Sequence, residues 1–168
     1  MQKKNILSII SIINLALIMI LGPSVLASDT ATVSATVTVQ HISVSVSDGT
    51  IAYGTLAAGT SKSTCDLSDT QIVTNDGNVA ETFNVMGSNS TNWTLGSSAG
   101  TDTYVHKFSS STCPVTWGGT ALTTNYQTLA TNVAPNATTT LNLQVTTPTA
   151  TTYYTQQSFS VTVQAVAY

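Results

Sequence analysis

The chain has 168 residues and a formal net charge of −3, and only 7% of its residues are charged. All four basic residues are lysines: Lys3, Lys4, Lys62 and Lys107. So few cations cannot neutralise a run of phosphates, which excludes nucleic acid and argues against anionic membrane surfaces as partners.

Lys3 and Lys4 precede an apolar stretch, Ile6 to Leu21, that is interrupted only by Ser8, Ser11 and Asn14. Gly22-Pro23 then breaks the helix, and Val25-Leu26-Ala27 supplies the small residues a signal peptidase requires. Residues 1–27 therefore read as a signal peptide, and the mature chain is expected to be secreted, extracellular or at the cell surface. Two lysines then stand against seven acids, a net charge of −5. No later apolar run reaches the ~20 residues that span a bilayer, so no membrane span is expected after cleavage. The 141 remaining residues suffice for one domain with a real core. Thr and Ser account for 32 and 17 of them, and β-branched threonine suits the solvent face of a strand.

The elements follow in order. Ala31–Val39 alternates apolar odd positions with hydroxyl-bearing even ones. The apolar phase then flips, because Ile42, Val44 and Val46 carry it on even positions. A period-2 element cannot change phase without a bend, so Gln40-His41 marks a kink or a passage to another sheet. Residues 28–40 thus form an N-terminal strand that could act as a donor arm, and residues 41–168 form the domain proper. Ile51–Gly54 reads as a short strand. Gln71–Thr74 leads into Asn75-Asp76-Gly77-Asn78, the strongest hairpin signal of the chain, with Val79–Met86 as the return strand. Trp93–Leu95 and Tyr104–Phe108 follow, the latter with Tyr104, His106 and Phe108 on one face. Short segments at Cys113–Trp117 and Ala121–Thr123 precede a turn at Pro135-Asn136. Leu141, Leu143 and Val145 alternate, as do Phe159, Val161, Val163 and Ala165. No helical period appears after the signal peptide. About eight to ten short strands at this spacing predict an all-β, two-sheet antiparallel sandwich, Ig-like or jelly-roll.

Cys65 and Cys113 are the only cysteines, and an even pair in an exported chain reads as one disulfide. His41 and His106 have no second ligand at metal spacing, and the Asp66 and Asp76 regions lack a calcium-loop pattern. Gly96-Ser97-Ser98-Ala99-Gly100 matches Gly-x-Ser-x-Gly formally, but no helical pattern follows to make a nucleophile elbow. No enzyme activity, cofactor or metal is expected. Lys107 reads as an edge-strand lysine. Trp93 reads as a core residue, and Trp117, beside Gly118-Gly119, as the aromatic that could face a ligand.

Ala31–Val39, Val44-x-Val46 and Ile51-Ala-Tyr53-Gly54-Thr55-Leu56 resemble the opening of the spore-coat-U and archaic chaperone–usher pilin families. The finish, Tyr154–Tyr168, is similar to theirs. The stretch from Ala58-Gly59-Thr60 to Asn75-Asp76-Gly77-Asn78 also resembles, in outline, biofilm-fibre proteins of the TasA type and archaeal bundling pilins. The early cysteine and the arginine-containing middle of the pilin families have no counterpart here. These resemblances imply a surface or fibre β-sandwich, read as a structural subunit that self-associates. The alternation of Ala31–Val39 offers Val33, Ala35, Val37 and Val39 as a donated face, or else as one face of a strand that pairs within its own sheet. The alternative is a monomeric extracellular adhesin or carbohydrate-binding module with a glycan or other cell-surface partner.

Overall fold

The computed structural model describes residues 29–168, so the signal peptide read over residues 1–27 lies outside the described residues. The chain divides between Thr38 and Val39 into two units. In the first unit, residues 29–38 carry no strand and every one of them is exposed.

The second unit holds ten strands in two sheets, as the alternation predicts, with one helical turn. They are β1 (Val44–Val46), β2 (Ser61–Ser63), β3 (Gln71–Asn75), β4 (Glu81–Gly87), β5 (Thr94–Leu95), β6 (Thr103–Ser109), β7 (Thr120–Ala121), β8 (Gln127–Val133), β9 (Thr138–Thr146) and β10 (Val161–Ala167). The larger sheet runs β1-β3-β9-β6-β5, with β2 also on β9 and β7 on β6; the smaller runs β10-β4-β8. All pairings between named strands are antiparallel except β5 with β6. Between the sheets, Val73, Phe83, Val85, Phe108, Leu122, Leu129, Val133, Leu141 and Leu143 form the buried core.

Four local readings change. The strand expected from Ala31 is absent: no strand precedes Val44 among the described residues. Ile51–Gly54 is likewise unpaired chain. The Asn75–Asn78 turn does not close a hairpin, because β3 and β4 belong to different sheets. A two-residue type I′ hairpin needs positive φ at both central residues. Neither Asp76 nor Gly77 adopts it. The buried Asn75 side chain instead turns the chain across the core. Its Oδ1 accepts from Gly77 N at 2.8 Å, and its Nδ2 donates to the carbonyls of Val79 and Val133, both at 2.8 Å. Glycine is required at 77 because a Cβ there would collide with Glu81 Oε1 and the His41 carbonyl. Lys107 is not on an edge strand either, since it pairs with Gln144 on one side and Ala121 on the other.

The helical turn, α1 (Thr64–Leu67), carries a capping box that the sequence reading passed over. Ser63 Oγ accepts from Asp66 N at 3.2 Å, and Asp66 Oδ2 accepts from Ser63 N at 2.8 Å. Ser63 Oγ also donates to Asp66 Oδ2 at 2.7 Å, and this bond, followed by that from Ser63 N, holds the Asp66 carboxyl below its ordinary range. The turn lies on β9 through buried Thr64, whose Oγ1 donates to Asn142 Oδ1 and accepts from Leu143 N. Asn142 Nδ2 donates to Ser111 O at 2.7 Å. Cys65 and Cys113 are joined as a disulfide across this patch, and no cysteine is free.

Candidate functional site

Two features of the described chain stand out: the N-terminal arm, which carries no strand, and one seam of the sandwich. The arm is built from small apolar and hydroxyl residues, with Asp29 its only described charge. Val33 is 94% exposed and Val37 92%. Ala35 is exposed between them, and Val39 is 81% exposed. The root is fastened. Val39 O accepts from Asn78 Nδ2 at 2.9 Å, and His41 N donates to Asn78 Oδ1 at 2.8 Å. Ser43 N then donates to Glu81 Oε1 at 2.9 Å. Of the four residues expected to form a donated face, Val33, Ala35 and Val37 thus lie ahead of the root, while Val39 is tied to the domain.

The seam lies between β1 and β10, each of which pairs with only one neighbour. Ser47 N donates to Ile72 O and Asp76 N to Ser43 O, which sets the phase of β1 on β3. Antiparallel ladders alternate, so Val44 and Val46 turn their N–H and C=O groups away from β3. On β10, Tyr168 N donates to Ala80 O, and the same register pairs Val161 with Gly87. Val161, Val163, Ala165 and Ala167 therefore turn their backbone groups away from β4. Val44, Val46, Val161, Val163 and Ala165 are only partly buried against the core.

Two cavities open along this seam and share Ile51, Tyr53 and Phe159 in their walls. The first, about 250 Å³, is closed below by Leu141 and Leu143 of β9 together with His106 of β6. The second, about 800 Å³, continues over Val145 and Thr147 and is walled by Trp93 and Tyr154. Neither is lined by an Asp, Glu, Lys or Arg side chain. Together they make a groove between residues 46–58 and 151–163.

His106 sits at the groove's narrow end. It is 2% exposed; its Nε2 lies 2.9 Å from Tyr53 Oη, and its Nδ1 is buried without a hydrogen-bond partner. Phe159 meets the imidazole edge-on at 5.2 Å and stacks on Tyr104 at 4.6 Å. Burial pushes the imidazole down to about 3. Burial first, then the charge of Asp69, raises the Tyr53 phenol well above its ordinary range. The site is lined by uncharged groups, with Gln71, Thr147, Thr151 and Gln157 beside the apolar side chains. It suits an uncharged extended chain.

The sequence reading named the arm but missed Tyr53, His106 and Phe159 as one cluster. The parity of Tyr104, His106 and Phe108 was the only signal for it. Trp117 lines neither cavity and is half-buried in the loop after Cys113, whereas Trp93 is half-buried in a groove wall. Gly96–Gly100 is loop, followed by β6 and not by a helix. No helix among the described residues is long and apolar enough to cross a membrane. No protein-family model, curated protein or solved structure matches the chain.

Proposed function

We propose that this protein is a secreted, non-enzymatic structural subunit of a surface or fibre assembly, which self-associates by donating its N-terminal segment as a strand. The observation that carries the reading is the state of Ala31–Val39. Nine residues with strand-like alternation and no proline belong to no sheet, and their valines stand in solvent. Exposed β-branched residues in such a pattern favour pairing with a sheet edge, where main-chain bonds give affinity and alternate side chains give specificity.

Combining Val33→Asp with Val37→Asp tests this reading on the full secreted chain. The double variant should fold and stay monomeric where the natural protein forms high-mass species by light scattering. Charge on the donated face would have to be desolvated in an apolar site, at a cost of several kcal/mol. Polymers that persist in the double variant, or a natural protein that is monomeric throughout, would refute donation.

A second reading draws on the larger cavity, whose walls include Trp93 and Tyr154. Its volume falls within the roughly 300–1,000 Å³ of ligand clefts, and an aromatic wall suits a sugar ring. Saturable quenching of tryptophan fluorescence by a glycan, in a monomeric protein, would favour that binding module.

A further inference from the structure

Building on the strand-donation reading, we infer that the acceptor is the groove between residues 46–58 and 151–163 of a second copy, entered at the end opposite the arm's root, so that copies join head to tail.

Length and period match. The groove floor presents Leu141, Leu143, Val145 and Thr147, alternate residues of one strand and its extension. Six steps at ~3.3 Å give a floor of roughly 20 Å. Ala31, Val33, Ala35 and Val37 offer four apolar positions over the same six steps, all ahead of the tether at Val39. The chemistry also matches: residues 30–38 are uncharged, and no Asp, Glu, Lys or Arg side chain lines the groove. The open backbone groups of Val161 and Val163 supply the start of the ladder, with no lysine, proline or bulge in β10 to defend it.

Direction follows from the two ends of the domain. The arm's root lies at the Asn78 end, where Ala167 pairs with Glu81 and Asn136 N donates to Asn75 O. The groove widens at the other end, where Gly59 N donates to Pro148 O and Thr147 N to Thr60 O. An arm leaving the Asn78 end of one copy and entering the Pro148 end of the next runs antiparallel to β10. Val33 then reaches the narrow end near Val161 and His106, and Val37 stays near Ala58. Each copy fills one groove and leaves its own open, so the contact is heterologous and propagates as a filament.

Single-cysteine variants of the full secreted chain test the placement: Val33→Cys and Val37→Cys in the arm, Val161→Cys and Ala58→Cys in the groove, and Thr128→Cys on β8 as the rival edge. Arm and acceptor variants are mixed pairwise under mild oxidation. Val33→Cys should link to Val161→Cys, and Val37→Cys to Ala58→Cys, with covalent dimer about tenfold above either variant alone, because a seated strand holds the thiols at high effective concentration. Preferred linkage of the crossed pairs would overturn the direction. Capture at Thr128→Cys, or groove cysteines left unlinked in mixtures that do polymerise, would overturn the groove while leaving donation standing. Intramolecular linkage of a Val33→Cys/Val161→Cys chain at high dilution, without dimers, would make the groove a self-closing site and overturn head-to-tail joining. Mixtures that never leave the monomer would remove both this inference and the reading beneath it.

Discussion

The two edges of the three-stranded sheet are opposites. The β8 edge is irregular: its register on β4 shifts twice, between Glu81 and Phe83 and between Phe83 and Asn84. Asn132 holds a left-handed φ of 54° within that strand. Bulges twist an edge away from incoming strands. The β10 edge keeps one register for seven residues, from Val161 on Gly87 to Ala167 on Glu81, and its inward residues are only partly covered. One edge is shaped against pairing and the other is left fit for it, within a single sheet. A general failure to protect edges would have left both alike, so the open seam is a local property of β10 and its surroundings.

Three measurements can break or sharpen that contrast. The largest effect belongs to the disulfide, which pins α1 and the Ser111 loop over the outer face of the larger sheet. Replacing Cys65 and Cys113 with alanine should cost about 4 kcal/mol by the chain-entropy relation for a span of 48 residues, read from urea unfolding. Association through β10 should persist wherever the variant is folded. Loss of association in the folded variant would couple the two regions and break the contrast.

The next effect is a pH dependence. His106 is buried neutral behind the seam, so the unfolded chain binds its proton below about 6.5 while the folded chain does not until about 3. Stability should be complete above 6.5 and fall as pH drops through that window. Linkage of one proton gives roughly 2 kcal/mol between pH 6.5 and 5, above the usual carboxylate range. His106→Leu should flatten that interval. An unchanged slope in the variant would place the titration elsewhere.

The smallest effect tests the β8 bulge. Asn132→Ala should destabilise by about 1 kcal/mol, since alanine tolerates the left-handed region poorly, whereas Asn132→Gly should be near neutral. If both variants melt alike, the positive φ is not what shapes this edge.

The sheet architecture was legible because alternation in segments such as Leu141–Val145 and Val161–Ala165 reports one buried face directly. The Asn75–Asn78 turn was misread because the same residues serve a tight hairpin and a crossing between sheets. Only the buried partners of Asn75, as distant as Val133, distinguish the two. The capping box at Ser63 was written in the sequence, but four residues are too few to show a helical period. The phase break at Gln40-His41 lies close to the division between Thr38 and Val39, but the alternation before it is not a strand. The groove could not be read, because its walls lie about a hundred residues apart, and no local pattern reports that Tyr53 meets His106.

The pairing of β1 with β3 has a mechanical consequence. Any pull on residues 29–38 enters the domain along the covalent chain through Val39 and His41, and meets β1 next. The β1–β3 hydrogen bonds, at Ser43, Ser47 and their partners, lie across the strand, so a load directed along β1 shears them together. Asn78 and Glu81 add anchors at the point where tension arrives. Behind them β3 hands the load to β9, the strand that also carries the disulfide-pinned patch on its outer face. A load on β1 thereby reaches the middle of the larger sheet only through the single β1–β3 pairing.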